Sequence, residues 1–113
     1  MKKTKQLLSI EKAICKAAGV SVEDIDTRNR EQNIADARAA IWLIAREYLH
    51  YSYPVLGKMY KRNHTTVMAG VKKIKSMPVS MKILSYIRTV CPELPVEKMS
   101  AGEHRDIKNW DLE

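Results

Sequence analysis

The sequence predicts an all-α fold, a small helical bundle that contains a helix-turn-helix. Three observations carry this expectation. Apolar residues recur at helical spacing in separate stretches, such as Leu7, Ile10, Ile14 and then Ile34, Ala37, Ile41, Ile44. The apolar stock is Ile, Leu, Val, Met and Ala, with no Phe, a mixture that suits helices better than a sandwich of sheets. The segment from Tyr53 to Val67 reads as a short helix, a turn of three or four residues, and a second helix that opens on small polar groups.

Taken in chain order, Leu7, Ile10, Ile14 and Ala17 mark a first amphipathic helix, stopped by Gly19. Ser21 then caps a single helical turn, with Val22 and Ile25 closing the core. Thr27 to Asn33 is a polar loop. Ile34, Ala37, Ile41, Ile44 and Tyr48 define a long central helix. Pro54 suits the first turn of the next helix, where its missing N–H would have no partner anyway. Leu56 and Met59 give that helix an apolar side. Asn63 is a good N-cap for the following helix, its side-chain oxygen able to accept from the N–H of Thr65 or Thr66. Val67, Val71 and Ile74 fall on one face of that helix, with Gly70 beside them; Thr65, Ala69, Lys72, Lys73 and Ser76 fall on the other. Pro78 ends or kinks it. Ser80, Leu84, Ile87 and Cys91 mark a last helix of about twelve residues. From Pro92 onward there is no periodicity, so the chain divides into a helical domain over 1–91 and an acidic, flexible tail over 92–113 that holds an unexplained Trp110.

Charge points to a polyanionic partner. The net charge is +7, and residues 28–75 hold ten Lys and Arg against three acids, while 92–113 is net acidic. The N–H groups, two hydroxyls and positive end of the helix after Asn63 form a site that favours phosphate oxygens. Together with the helix-turn-helix, this outweighs a merely solvated basic surface. No apolar run is long enough to cross a bilayer, and the lysine-rich start is not followed by a sustained apolar stretch. Cys15 and Cys91 sit on apolar helix faces and read as buried free thiols in a reducing cytoplasm. Enzyme chemistry finds no support: there is no Gly-rich phosphate loop, and His50, His64 and His104 lack metal-ligand spacing, so no cofactor or metal is expected.

The run from Ala37 to Glu47, followed by Ser52 to Gly57 and then Arg62-Asn63-His64-Thr65-Thr66-Val67, resembles the C-terminal DNA-binding domain of the bacterial replication initiator DnaA. Similarity is strongest from Ile34 to Ile74 and extends from Leu7 to about Val90. It implies an all-helical reader of a short asymmetric duplex site, with the corner from His64 to Thr66 in the major groove. An arginine from the preceding loop or helix start would enter the minor groove; Arg28, Arg30 and Arg38 are the residues in that region. Asn63 stands where the family usually has Asp, and Ala69 where many members carry a second His.

The expected DNA-binding set is therefore Arg28, Arg30, Arg38, Pro54, Arg62, Asn63, His64, Thr65, Thr66, Ala69, Lys72 and Lys73. Arg38 near a helix N-terminus is mildly unfavourable with the dipole, which together with the resemblance favours a minor-groove or phosphate role over a solvated charge. Arg62, in the turn, reads as a phosphate contact. His64 is either a partly packed residue at a helix start or a base or phosphate contact. Arg46 and Glu47 read as scaffold. Asn63 both donates and accepts, which suits adenine N6 and N7, whereas an aspartate suits the cytosine amino group.

The expected function is sequence-specific binding of double-stranded DNA at an origin or initiator-box-like site, as a stand-alone cytoplasmic, nucleoid-associated protein. It would act as a monomer in replication initiation or its regulation, with a replication initiator or other replication protein as a further partner. The alternatives are a phage or mobile-element transcriptional repressor, which needs a dimer and a palindromic site, and a small DNA-packaging subunit, which should form a ring.

Overall fold

A computed structural model of the chain describes residues 3–27, 31–76 and 81–91. Six helices follow one another among them: α1 (Lys5–Ala18), α2 (Val22–Ile25), α3 (Gln32–Glu47), α4 (Tyr53–Tyr60), α5 (His64–Ser76) and α6 (Met81–Val90). The all-α expectation holds.

Local chemistry sets most helix ends. Thr4 Oγ1 accepts from Leu7 N to open α1, and Gly19 closes it with φ +73°, a conformation that costs a glycine little. Ser21 and Asp24 form a reciprocal capping box around α2. Ile25 is buried, as expected, and Val22 packs half-buried against the core.

Helix α3 lies at the centre, packed against α1, α2, α5 and α6. Every residue from Ala37 to Ala45 is buried, so this helix is enclosed on all sides rather than along one stripe. Its alanines keep it thin, and α5 approaches it closely: a methyl at Gly70 would stand 3.0 Å from the Trp42 ring. The expectation that Tyr48 continues the apolar face is corrected. Helix α3 stops at Glu47, Tyr48 is its C-cap, and the side chain is half-exposed beyond the edge of the core.

Among the described residues two charged side chains are buried, Glu11 and Arg38. Glu11 is compensated by two groups, Tyr60 and Lys3, which also touch each other. Tyr60 donates its hydroxyl to Oε2 at 2.5 Å, Lys3 Nζ lies 2.8 Å from the same oxygen, and Lys3 also sits 4.4 Å above the Tyr60 ring. Lys3 reaches on to Asp26 at 3.0 Å. This network fastens the end of α4 to α1, which fixes the first helix of the helix-turn-helix on the bundle. Such a network is stable only while all its members are paired.

Helix α6 spans ten residues and buries Ile83, Leu84 and Ile87. Cys15 and Cys91 are buried free thiols. No helix of the described residues is long and apolar enough to cross a membrane. Pro78, the expected tail over 92–113 with Trp110, and therefore the expected domain boundary all lie outside the described residues.

Candidate nucleic-acid interface

Helices α4 and α5 are joined by three residues, Lys61, Arg62 and Asn63. Ser52 opens α4 by accepting from Val55 N at 3.3 Å, and Pro54 sits exposed in its first turn. Lys61 closes α4 in the left-handed region, φ +55°. The turn then folds back onto α4, with Arg62 N donating to Gly57 O at 2.8 Å. Only a glycine fits there, since a Cβ on residue 57 would stand 2.7 Å from the Arg62 carbonyl oxygen. Leu56 and Gly57 are buried behind the turn, and Val67, Val71 and Ile74 bury the inner face of α5 as expected.

Asn63 caps α5. Its Oδ1 accepts from Thr65 N at 2.9 Å and from Thr65 Oγ1 at 2.8 Å, while its backbone carbonyl accepts from Thr66 N and Val67 N. One expectation is corrected by this cap. The N–H groups of Thr65 and Thr66 were to hold phosphate oxygens, but both are engaged with Asn63 itself, because a capping residue satisfies the donors that an anion would otherwise take. The first turn of α5 carries no acid, so the positive end of its dipole is left uncompensated by charge.

The outer face is continuous. Asn63, His64, Thr65, Thr66, Ala69, Lys72 and Lys73 are all exposed. Lys75 is tied to Glu47 at 3.5 Å, whereas no acid of the described residues pairs Lys72 or Lys73. Two further exposed cations, missed in the sequence, lie on the helix and cap that precede the turn. Pro54, Lys58 and Lys61 are all exposed on α4 and at its cap, at i, i+4 and i+7. That spacing was available as a signal once Leu56 and Met59 had fixed the opposite, apolar side.

Arg38 is placed elsewhere. It is only 7% exposed, with Nε 3.0 Å from Ile25 O and a terminal nitrogen 3.2 Å from Asp24 O and 2.9 Å from Thr27 O. The guanidinium thus closes the end of α2 and the two residues after it, adding to Asp24 O, which also accepts from Thr27 N and Thr27 Oγ1, and binding Ile25 O and Thr27 O. A fork of N–H donors suits that task; the expected conflict with a helix dipole is corrected, because α3 begins at Gln32 and Arg38 lies nearly two turns in. Burial, and next the nearby Arg62 guanidinium, lower its pKa from the ordinary arginine value. This geometry replaces the expected minor-groove or phosphate role with a structural one. Arg62 is half-buried and donates to Tyr60 O at 3.2 Å and to Thr27 O at 2.5 Å, so the two arginines converge on one carbonyl. Arg28 and Arg30 follow directly in the chain and lie outside the described residues. Arg46 stacks 4.7 Å from the Tyr53 ring, a scaffold position as expected.

Comparison with known proteins agrees with this arrangement. The family described as the bacterial dnaA protein helix-turn-helix matches residues 8–74. Among curated relatives, the chromosomal replication initiator protein DnaA of Streptococcus mutans is 41% identical over 69 residues, covering 60% of this chain and 15% of that protein. The same protein from Thermoanaerobacter sp. is 33% identical over 76 residues, 67% of this chain and 17% of the relative. That of Oleidesulfovibrio alaskensis is 26% identical over 87 residues, 73% and 19% respectively. The chain therefore spans less than a fifth of the length of each of these relatives. With the match covering more than half of its residues, the chain belongs to the bacterial DnaA helix-turn-helix family of DNA-binding modules.

Proposed function

We propose that this chain reads a short asymmetric duplex site in replication initiation or its regulation, by laying the outer face of α5 in the major groove. The observation that carries this reading is the face itself: small and polar at its start, uncompensated at its positive end, and flanked by exposed lysines of α4 and α5. Small residues such as Ala69 let the helix approach base edges. His64, Thr65, Thr66 and Asn63 stand where those edges would be, and Lys58, Lys61, Lys72 and Lys73 reach toward phosphates on either side. Arg62 braces the turn from Thr27, the point from which Arg28 and Arg30 would approach the neighbouring minor groove. The protein would bind as a monomer in the cytoplasm, alongside a replication initiator or other replication protein. Selection of bound sequences from a random duplex pool, compared with initiator boxes, tests the reading. Affinity should fall steeply with salt, by a log–log slope of about −0.9 per neutralised phosphate. Lys72→Ala should reduce that slope by about one and leave the selected sequence unchanged. Absence of binding to any duplex at low salt, or an affinity indifferent to salt, would refute it.

A further inference from the structure

The cap of α5 fixes which hydrogen-bonding groups Asn63 and Thr65 turn outward. Thr65 N is a donor, so the side-chain atom of Asn63 that it meets at 2.9 Å must be the carbonyl oxygen, and the orientation of the amide is settled without reference to any ligand. That same oxygen receives Thr65 Oγ1 at 2.8 Å. A carbonyl oxygen cannot donate, so the hydroxyl proton of Thr65 points at Asn63. Both lone pairs of Asn63 Oδ1 are then filled. Asn63 has only its NH2 group left, which meets no acceptor among the described residues, and Thr65 has only the lone pairs of its hydroxyl. Both residues are exposed on the outer face of α5.

The geometry points to Asn63 and Thr65 acting as one two-residue reader of adenine, with Asn63 donating to N7 and Thr65 accepting from the N6 amino group. This rests on the role of α5 in the major groove proposed above and adds which base the corner selects. Among the four bases only adenine presents an acceptor beside a donor on one major-groove edge. Guanine offers two acceptors, so its O6 would face the lone pairs of Thr65 unless the hydroxyl abandoned Asn63. Cytosine offers a donor alone. Thymine offers an acceptor and a methyl group, which leaves the Thr65 acceptor unmet. Asn63 by itself cannot grip adenine with both ends of its amide, because its oxygen is held by the cap. An aspartate at 63 would keep the cap but present a second acceptor in place of the donor, moving the preference to the cytosine amino group.

The test compares wild type, Asn63→Asp and Thr65→Val, first by selection from a random duplex pool and then on the selected site carrying modified bases. Aspartate caps a helix as well as asparagine does, so Asn63→Asp remains folded. The wild-type site should contain one adenine that becomes cytosine in the Asn63→Asp selection. Replacing that adenine by 7-deazaadenine should weaken wild-type binding roughly tenfold, within the range of about fivefold to a hundredfold for a base contact. Replacing it by purine, which lacks the amino group, should weaken wild type similarly and leave Thr65→Val unaffected. If wild type selects no sequence at all, the reader role itself falls, and this inference with it. If wild type selects a site but Asn63→Asp selects the identical one, or the base that changes is not adenine, or loss of N7 is without effect, the reader role stands and the adenine assignment is overturned.

Discussion

Replacing Arg38 separates a buried brace from the phosphate contact that the sequence led one to expect. In Arg38→Met the stem keeps its length while the guanidinium, with its bonds to Ile25 O, Asp24 O and Thr27 O, is removed. A hydrogen bond to a charged group contributes about 1.5–3 kcal/mol, but these three share one side chain and are not additive. Two of the three are only part-buried, so water can take over those carbonyls in part, and deleting the charge also removes its own desolvation cost. The Ile25 bond is the buried one and dominates. The expected net loss is about 2–4 kcal/mol, a large share of the 5–15 kcal/mol typical of a domain. At about 4 °C per kcal/mol for a chain of this size, the melting temperature should drop by roughly 8–16 °C. Arg38→Lys, with a single nitrogen in place of the fork, should recover less than half of that. Calorimetry gives the first number; a salt titration of duplex binding, performed below the lowered melting point, gives the second. The salt slope should equal that of wild type. An unchanged melting temperature combined with a slope reduced by about one would show that Arg38 meets a phosphate and that its intramolecular bonds do not matter.

Gly57→Ala should destabilise the protein by about 2 kcal/mol despite the gain in helix propensity, since the added methyl meets the Arg62 backbone carbonyl at 2.7 Å; a stability equal to wild type in urea would contradict the close approach. Stability should also fall in alkali. Burial, and next the charge of Glu11, push the Cys15 thiol up to about 11; burial and the bond to Glu11 raise Tyr60; and for Lys3 the bonds to Glu11 and Asp26 outweigh burial and raise it too. Each folded pKa lies above its unfolded value, so the unfolded chain loses its protons first; the contribution is complete below about pH 9 and is lost as pH rises. The urea midpoint should decline from about pH 9 upward, and Cys15→Ala, although less stable overall, should show a shallower decline between about pH 9 and 10, the remainder coming from Cys91, whose thiol burial also raises; a midpoint flat to pH 11 in wild type would exclude this coupling.

What the sequence revealed, and what it hid, follows from how far each interaction reaches. Gly19, Ser21 and Asn63 were legible as caps because a cap is settled within three or four residues. The helix-turn-helix was legible for the same reason, and the exposed line of Pro54, Lys58 and Lys61 could have been read from spacing alone. The complete enclosure of α3 was not, because periodicity shows which positions are apolar but not that four other helices surround them. Arg38 illustrates the limit most clearly. It was expected near a helix start, but α3 begins at Gln32 and places Arg38 nearly two turns in; its partners are carbonyls eleven to fourteen residues away, at and just beyond the end of a helix only four residues long. Whether an arginine meets nucleic acid or the chain's own backbone depends on burial, a tertiary property. Asn63 shows the converse. Its local role as a cap was visible, but the cap also fixes the polarity of the groups it leaves outward, so the residue that opens α5 carries information about the partner only through the hydrogen bonds it has already made.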